Sequence, residues 1–329
     1  MEILSTPEGA ADDLPGYGFA RRYVTVPSGD GQDLRVHLVD AGDTDAAVVV
    51  FLHGNPSWSY LWRHQIAAVV DAGYRAVAPD LVGIGLSDKP SEIADYTVER
   101  HVTWMRELLF EALDLQNITF VLHDWGGVIG LRLTAEQPGR VRRVAVSNTG
   151  LPTRDPADPL PDDIEARGPL ADFQRFAREA PTWEPWTLLP MVMVTEPSAE
   201  VTAGYRAPYT DPSLTIGSRA FTQLLPTRSD NPMLPGNFEA WKVLDTFDKP
   251  LVTIFSDQDQ VAPKGYVPLV ERIPGAADQP HVVLEGGGHF LQEDIPEAYT
   301  DALTAWLGRR PRRSPDRRGG RRSARAHIV

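Results

Sequence analysis

The chain has 329 residues and no cysteine; it is long enough for a sizeable core, and disulfides and thiolate metal sites are excluded. Its net charge of −13 is uneven, because residues 309–329 hold nine arginines and one aspartate, leaving −21 on residues 1–308. An acidic body argues against nucleic acid as the main partner, and no apolar run approaches the roughly 18 residues of a membrane span. The acidic start MEILSTPEGAADD lacks a basic-then-apolar signal, so a cytoplasmic protein is expected. Residues 1–20 read as an N-terminal extension. The Arg-rich end, 309–329, reads as a disordered appendage, being too poor in apolar residues to fold.

Residues 22–26 and 34–39 alternate like two antiparallel strands joined by a turn-rich PSGDG. Residues 46–52 form a continuous apolar run, as expected of a strand covered on both faces, and end in His53-Gly54-Asn55-Pro56. A helix is predicted over 60–72 and a short buried strand over 75–78. The loop PDLVGIGLSDKP (79–90) follows, and residues 97–113 place apolar residues at helical spacing.

Residues 118–121 predict another buried strand, which stops at His123-Asp124-Trp125-Gly126-Gly127, and residues 128–135 predict a helix. A carboxylate at a strand-to-helix turn with glycines behind it is the setting of a nucleophile elbow. The helix N-terminus favours an anion there. An aspartate before a helix is also a common N-cap, so the stretch alone leaves both readings open.

Further strands are predicted at 141–146, 251–255 and 282–284. Strands alternating with helices imply an α/β fold, a mostly parallel sheet with helices on both faces and sites at the carboxyl ends of its strands. Asn55, Asp124, Asn148, Asp259 and His289 all fall at such ends. The pattern breaks between 151 and 228, where prolines and aromatics with helical character predict a cap inserted over the strand ends. The domain expectation is therefore a core of 21–151 and 229–308 with a cap of 152–228.

Asp124, Asp259 and His289 appear in the order nucleophile, acid, histidine. An aspartate at the elbow changes the chemistry. A serine attacking saturated carbon would give an ether that water does not readily cleave, whereas a carboxylate gives an ester that it does. Displacement at sp3 carbon, on an alkyl halide or epoxide, is therefore expected. His289, in GGGHF, would activate water against the ester, with Asp259 orienting its ring. Asp257 is a second carboxylate beside Asp259, and either can be a cap or a loop charge; Asp259 lies further past the strand end. The Trp125 indole N–H and the Asn55 amide are neutral donors suited to a departing halide, although core filling and a turn position would also explain them.

The stretches HGNPSWSYLWR (53–63), PDLVGIGLSDKP (79–90), HDWGG (123–127) and GGGHFLQED (286–294) together resemble the haloalkane dehalogenase family over roughly residues 20–308. The resemblance implies an α/β-hydrolase core with a helical cap, hydrolysis of carbon–halogen bonds and no cofactor or metal. The partners it implies are a small apolar halogenated substrate, water and a halide ion. It places the nucleophile on Asp124, the acid on Asp259, the base on His289 and the halide-stabilising pair on Trp125 and Asn55. Some members carry the acid near position 148, where this chain has asparagine. Others draw a second halide-binding tryptophan from the first cap helix, where this chain has Phe173; Trp183 or Trp186 would substitute only if the cap folds differently. Epoxide hydrolases are the alternative, with Tyr205 and Tyr209 as candidate donors, and a non-catalytic binding role on the same fold is a third reading. Oligomeric state is not encoded in any of these features.

Overall fold

The computed structural model describes residues 1–155, 157 and 168–309. The Arg-rich tail from 310 onward and part of the expected cap entrance lie outside the described residues. In chain order the strands are β1 (Ile3–Leu4), β2 (Arg21–Pro27), β3 (Asp33–Ala41), β4 (Val48–Leu52), β5 (Arg75–Pro79), β6 (Lys89–Pro90), β7 (Ile118–His123), β8 (Val141–Ser147), β9 (Leu251–Ser256) and β10 (Val282–Leu284). Eight of them form one sheet in the order β10-β9-β8-β7-β4-β5-β3-β2. The run from β10 to β5 is parallel, and β3 and β2 join antiparallel at one edge.

Burial explains the composition of the strands. Every residue of β4, β7 and β9 is buried, which matches their largely apolar and β-branched composition. The edge strand β2 buries little and leaves Arg22 and Tyr23 exposed.

The helices are α1 (Arg63–Asp71), α2 (Val98–Arg106), α3 (Trp125–Glu136), α4 (Pro169–Glu179), α5 (Leu189–Val192), α6 (Ala199–Arg206), α7 (Ile216–Gln223), α8 (Met233–Leu244), α9 (Tyr266–Arg272), α10 (Leu291–Asp294) and α11 (Pro296–Leu307). The single helix expected over 97–113 is α-helical only to Arg106 and continues as wider π turns through Glu107–Ala112. Thr97 caps its start by accepting from the Arg100 N–H at 3.1 Å. Helices α4 to α7 are the inserted helical cap, entered after β8 and left before α8.

Register assembles the site. Leu52 pairs with Leu122, His123 with Ser147 and Leu284 with Ser256. The loops that follow β4, β7, β8, β9 and β10 therefore leave the sheet side by side. Outside the main sheet, β1 pairs with β6. Lys89 is buried there, donating from Nζ to Thr6 Oγ1 (2.9 Å) and to the carbonyls of Gly85 (2.8 Å) and Ser87 (2.7 Å). Burial pushes its ammonium down to about 7. The first residues of the chain are thus fastened to the 79–90 loop.

Candidate active site

At the end of β7 the backbone of Asp124 turns into the left-handed region, φ 50° and ψ −126°, a strained conformation for a non-glycine residue. Its side chain makes no capping bond to α3. Instead Oδ1 accepts the Asn55 backbone N–H at 2.8 Å, and Oδ2 lies 3.2 Å from His289 Nε2. The capping alternative is therefore not what the geometry uses.

Space at the turn is tight. A Cβ on Gly54 would overlap the Asp124 carboxylate, and one on Gly126 would overlap the Leu52 carbonyl. Thr149 Oγ1 steadies the turn by donating to the Asp124 carbonyl at 2.7 Å. Burial favours the protonated acid, but the hydrogen bond and charge of His289, with the Trp125 backbone N–H, outweigh it and hold the Asp124 carboxyl below its usual range.

His289 Nδ1 lies 2.9 Å from Asp259 Oδ1. Asp259 is buried and is itself fixed by the N–H groups of Val261 (2.9 Å) and Ala262 (3.2 Å). Asp257 points elsewhere, accepting the Gly286 N–H at 2.8 Å on an exposed loop. Burial alone would lower the His289 pKa. Hydrogen bonds to Asp124 and Asp259, with their charges, reverse this and push it up to about 9.

Two residues not singled out as functional in the sequence hold this histidine from behind. His123 Nε2 donates to the His289 carbonyl at 2.8 Å, and burial keeps that ring neutral, its pKa lowered to about 4. Asn148, at the end of β8, donates from Nδ2 to the carbonyls of Gly288 (2.9 Å) and His289 (3.0 Å) and accepts from the Ser256 N–H. A buried asparagine at a strand end was the available signal. Asn148 therefore supports the histidine loop without supplying a carboxylate.

Asp124, Trp125, Asn55, Phe173 and His289 line one cavity of about 200 Å³, closed mainly by apolar side chains such as Leu188, Val192 and Leu225. A second lobe of about 320 Å³ continues from Asp124 and Trp125 toward Met233. Among the described residues no protein acceptor takes the Trp125 indole N–H or the Asn55 side-chain N–H, so both donors remain available. Phe173 stands in the wall, where its ring offers no N–H. Trp183 does not replace it: its Nε1 donates to Ser218 Oγ at 3.2 Å inside the cap. Trp186 packs on Tyr209 and under Arg206.

The tyrosines of the epoxide alternative also stand outside the cavity. Tyr205 donates its hydroxyl to Glu293 Oε1 at 2.7 Å, and Tyr209 is buried against the cap. Glu293 in turn holds Arg63 through two bonds of 2.6 and 2.8 Å. Among the described residues no group of three or more acidic or histidine side chains is arranged to hold a metal ion, and no helix is long and apolar enough to cross a membrane.

A sheet of this order, with its elbow after β7 and a helical insertion after β8, is that of an α/β hydrolase. Residues 47–184 match the alpha/beta hydrolase fold family. Over 312 residues the chain is 42% identical to a haloalkane dehalogenase of Psychrobacter cryohalolentis, covering 95% of this chain and all of that one. A tetrameric haloalkane dehalogenase from Paraglaciecola agarilytica superposes with a TM-score of 0.81 at 29% identity, covering 94% of this chain and all of that one. A more distant relative, 30% identical over 90% of this chain and 99% of its own length, is a cis-3-alkyl-4-alkyloxetan-2-one decarboxylase of Xanthomonas campestris. The chain belongs to the haloalkane dehalogenase family.

Proposed function

We propose that this protein hydrolyses small haloalkanes to an alcohol and a halide through an ester on Asp124. The observation that carries this reading is an ionised carboxylate, uncommitted to its helix, beside two unclaimed neutral donors in an apolar cavity. In the first step Asp124 Oδ2 attacks the halogen-bearing carbon, a carbon–oxygen bond forms, and the carbon–halogen bond breaks. The halide leaves with the electron pair. Trp125 Nε1–H and the Asn55 amide receive it, in a setting where little water competes. In the second step water attacks the Asp124 ester carbonyl, giving its proton to His289 Nε2. The oxyanion forms on Oδ1, already held by the Asn55 N–H; its collapse expels the alkoxide, which takes the proton back from His289 and leaves as the alcohol, and Asp124 sheds the remaining hydroxyl proton to become a carboxylate again.

The charge arrangement supports this order of events. In the resting site two carboxylates keep His289 protonated. Esterification neutralises Asp124 and removes one of those two partners, so burial gains weight and the imidazole becomes a base when a base is required. Asp259 remains to orient the ring and balance the imidazolium. Small cavity lobes suit short-chain substrates. We also assign 21–151 and 229–308 to the catalytic core and 152–228 to the cap.

The test is incubation with 1,2-dibromoethane while bromide and pH are followed. Bromide release with acidification is expected. Absence of bromide, with diol formed from styrene oxide or alkene from a cis-oxetan-2-one, would overturn the reading.

A further inference from the structure

We propose that His53 and Ser57 are positioning residues for the ester-hydrolysis step, acting on the Asp124 oxyanion through the Gly54–Asn55 peptide. The inference rests on the two-step hydrolytic reading above. The Gly54 carbonyl and the Asn55 N–H, which meets Asp124 Oδ1 at 2.8 Å, are the two ends of one peptide unit. Two donors converge on that carbonyl, His53 Nδ1 at 2.8 Å and Ser57 Oγ at 3.1 Å. Both side chains are fully buried.

The direction of the His53 bond is fixed by its other ring nitrogen. Nε2 accepts the Leu81 N–H at 2.9 Å and so carries no proton. Burial lowers the pKa of the ring and keeps it neutral, which leaves its one proton on Nδ1, directed at the Gly54 carbonyl. The Leu81 end is held in turn by its neighbour. The Asp80 carboxylate accepts the N–H groups of Ser59 and Leu86 at 2.8 Å each and meets His37 Nδ1 at 2.9 Å. The loops after β4 and β5 are thus braced together, and the His53 ring carries that brace to the Asn55 peptide. The histidine loop has its own anchor in Asp294, which accepts the N–H groups of Val194 (3.0 Å), Thr195 (2.8 Å) and Gly288 (2.8 Å). On the Asn55 side that task falls to His53 and Ser57.

Donors on this carbonyl do more than hold the peptide plane. A hydrogen bond to a peptide oxygen draws electrons from the nitrogen through the amide resonance, so the N–H at the other end becomes a stronger donor. The two chemical steps feel this differently. In alkylation the charge on Asp124 is lost as the ester forms, and a stronger Asn55 N–H only stabilises the starting carboxylate. In hydrolysis Oδ1 changes from a neutral ester oxygen to an oxyanion, so the same N–H tightens as the transition state is approached. The pair therefore serves the second step and gives the first no help.

Ser57→Ala removes one donor from the Gly54 carbonyl. His53→Gln removes the other, while its side-chain oxygen can still accept from Leu81; His53→Asn does the reverse, placing an amide donor where Nδ1 stood. With 1,2-dibromoethane, rapid-quench bromide bursts report alkylation and intact-protein mass reports ester decay. Decay should slow by about two- to fivefold in Ser57→Ala and His53→Gln, with a burst no slower than that of the wild type, and His53→Asn should recover wild-type decay. A second measurement needs only folded, alkylated protein. In the His289→Phe background, which holds the ester, the isotope-edited infrared band of the Asp124 ester carbonyl should move to higher frequency when Ser57→Ala is added, because the Asn55 donor is weaker. An unshifted band would overturn the inference. So would burst and decay slowed alike, or decay as slow in His53→Asn as in His53→Gln, either of which would make the two residues structural braces alone. Wild-type protein that gives no bromide burst refutes the hydrolytic reading itself, a distinct result.

Discussion

His289 Nε2 lies 3.2 Å from Asp124 Oδ2, so the proposed nucleophile of one step and the proposed base of the next share a hydrogen bond before either acts. Removing the imidazole should leave the first step possible and stop the second. For His289→Phe, intact mass after incubation with 1,2-dibromoethane should rise by one bromoethyl group. Unmodified protein would contradict the role given to the histidine.

The same pair sets a pH dependence. The His289 pKa is raised in the fold to about 9, so its contribution to stability is complete below the unfolded value near 6.5 and is lost as pH rises through about 9. The melting temperature of the wild type should fall across that window, more steeply than that of His289→Phe. In the alkylated enzyme, ester decay should rise with pH with an apparent pKa below that of the resting site, because Asp124 no longer carries charge. An apparent pKa equal to or above the resting value would count against the coupling.

Phe173 faces the cavity that also holds Trp125 and Asn55 but supplies only a ring. Phe173→Trp should add an N–H toward the departing halide. An added neutral hydrogen bond of about 1 kcal/mol corresponds to several-fold faster bromide release and tighter inhibition by bromide. Burst rates and halide inhibition constants measure both. Conversely, Trp125→Phe should slow the burst; unchanged bromide turnover would remove Trp125 from the halide site.

Gly54→Ala should be severe. Its methyl group would overlap the carboxylate and Cβ of Asp124, whose oxygens are held by the Asn55 N–H and His289. Activity should fall by at least about a hundredfold, on the scale of about 2.7 kcal/mol in the barrier. Bromide assays beside circular dichroism separate this from global unfolding.

Arg63, Glu293 and Tyr205 join α1, the histidine loop and the cap in one buried cluster. Arg63→Met strands the Glu293 carboxylate and should cost about 3–5 kcal/mol of stability. Tyr205→Phe removes one hydrogen bond to a charged group and should cost about 1.5–3 kcal/mol, with the bromide burst preserved because its hydroxyl is outside the cavity. Denaturant titration measures both. A large selective loss of the burst in Tyr205→Phe would return this residue to the chemistry.

The strands and their order were legible because buried parallel strands are continuous apolar runs, and 118–121 and 251–255 differ from the observed strands by only one or two residues. The elbow was visible as a residue pattern, but whether Asp124 caps its helix or faces the cavity depends on φ and on Gly54, which belongs to a strand end far away in sequence. The choice between Asp257 and Asp259 likewise depends on where the 286–289 loop crosses. His123 and Asn148 act through the backbone carbonyls of that loop, and a contact to a backbone group leaves no complementary residue to find. Phe173, at the position where other members of the family carry a tryptophan, lines the cavity, whereas Tyr205 and Tyr209 shared a plausible spacing and packed away from it.

Asp294 binds the cap segment at Val194 and Thr195 with the same carboxylate that binds Gly288, one residue before the histidine. A cap exchanged between relatives is therefore not a free cassette. A chimera that imports a foreign 190s segment unable to donate to Asp294 would leave that carboxylate bound to Gly288 alone, and the cap would lose this anchor on the loop around His289. The seating of the cap and the position of that loop are coupled in this chain through one side chain.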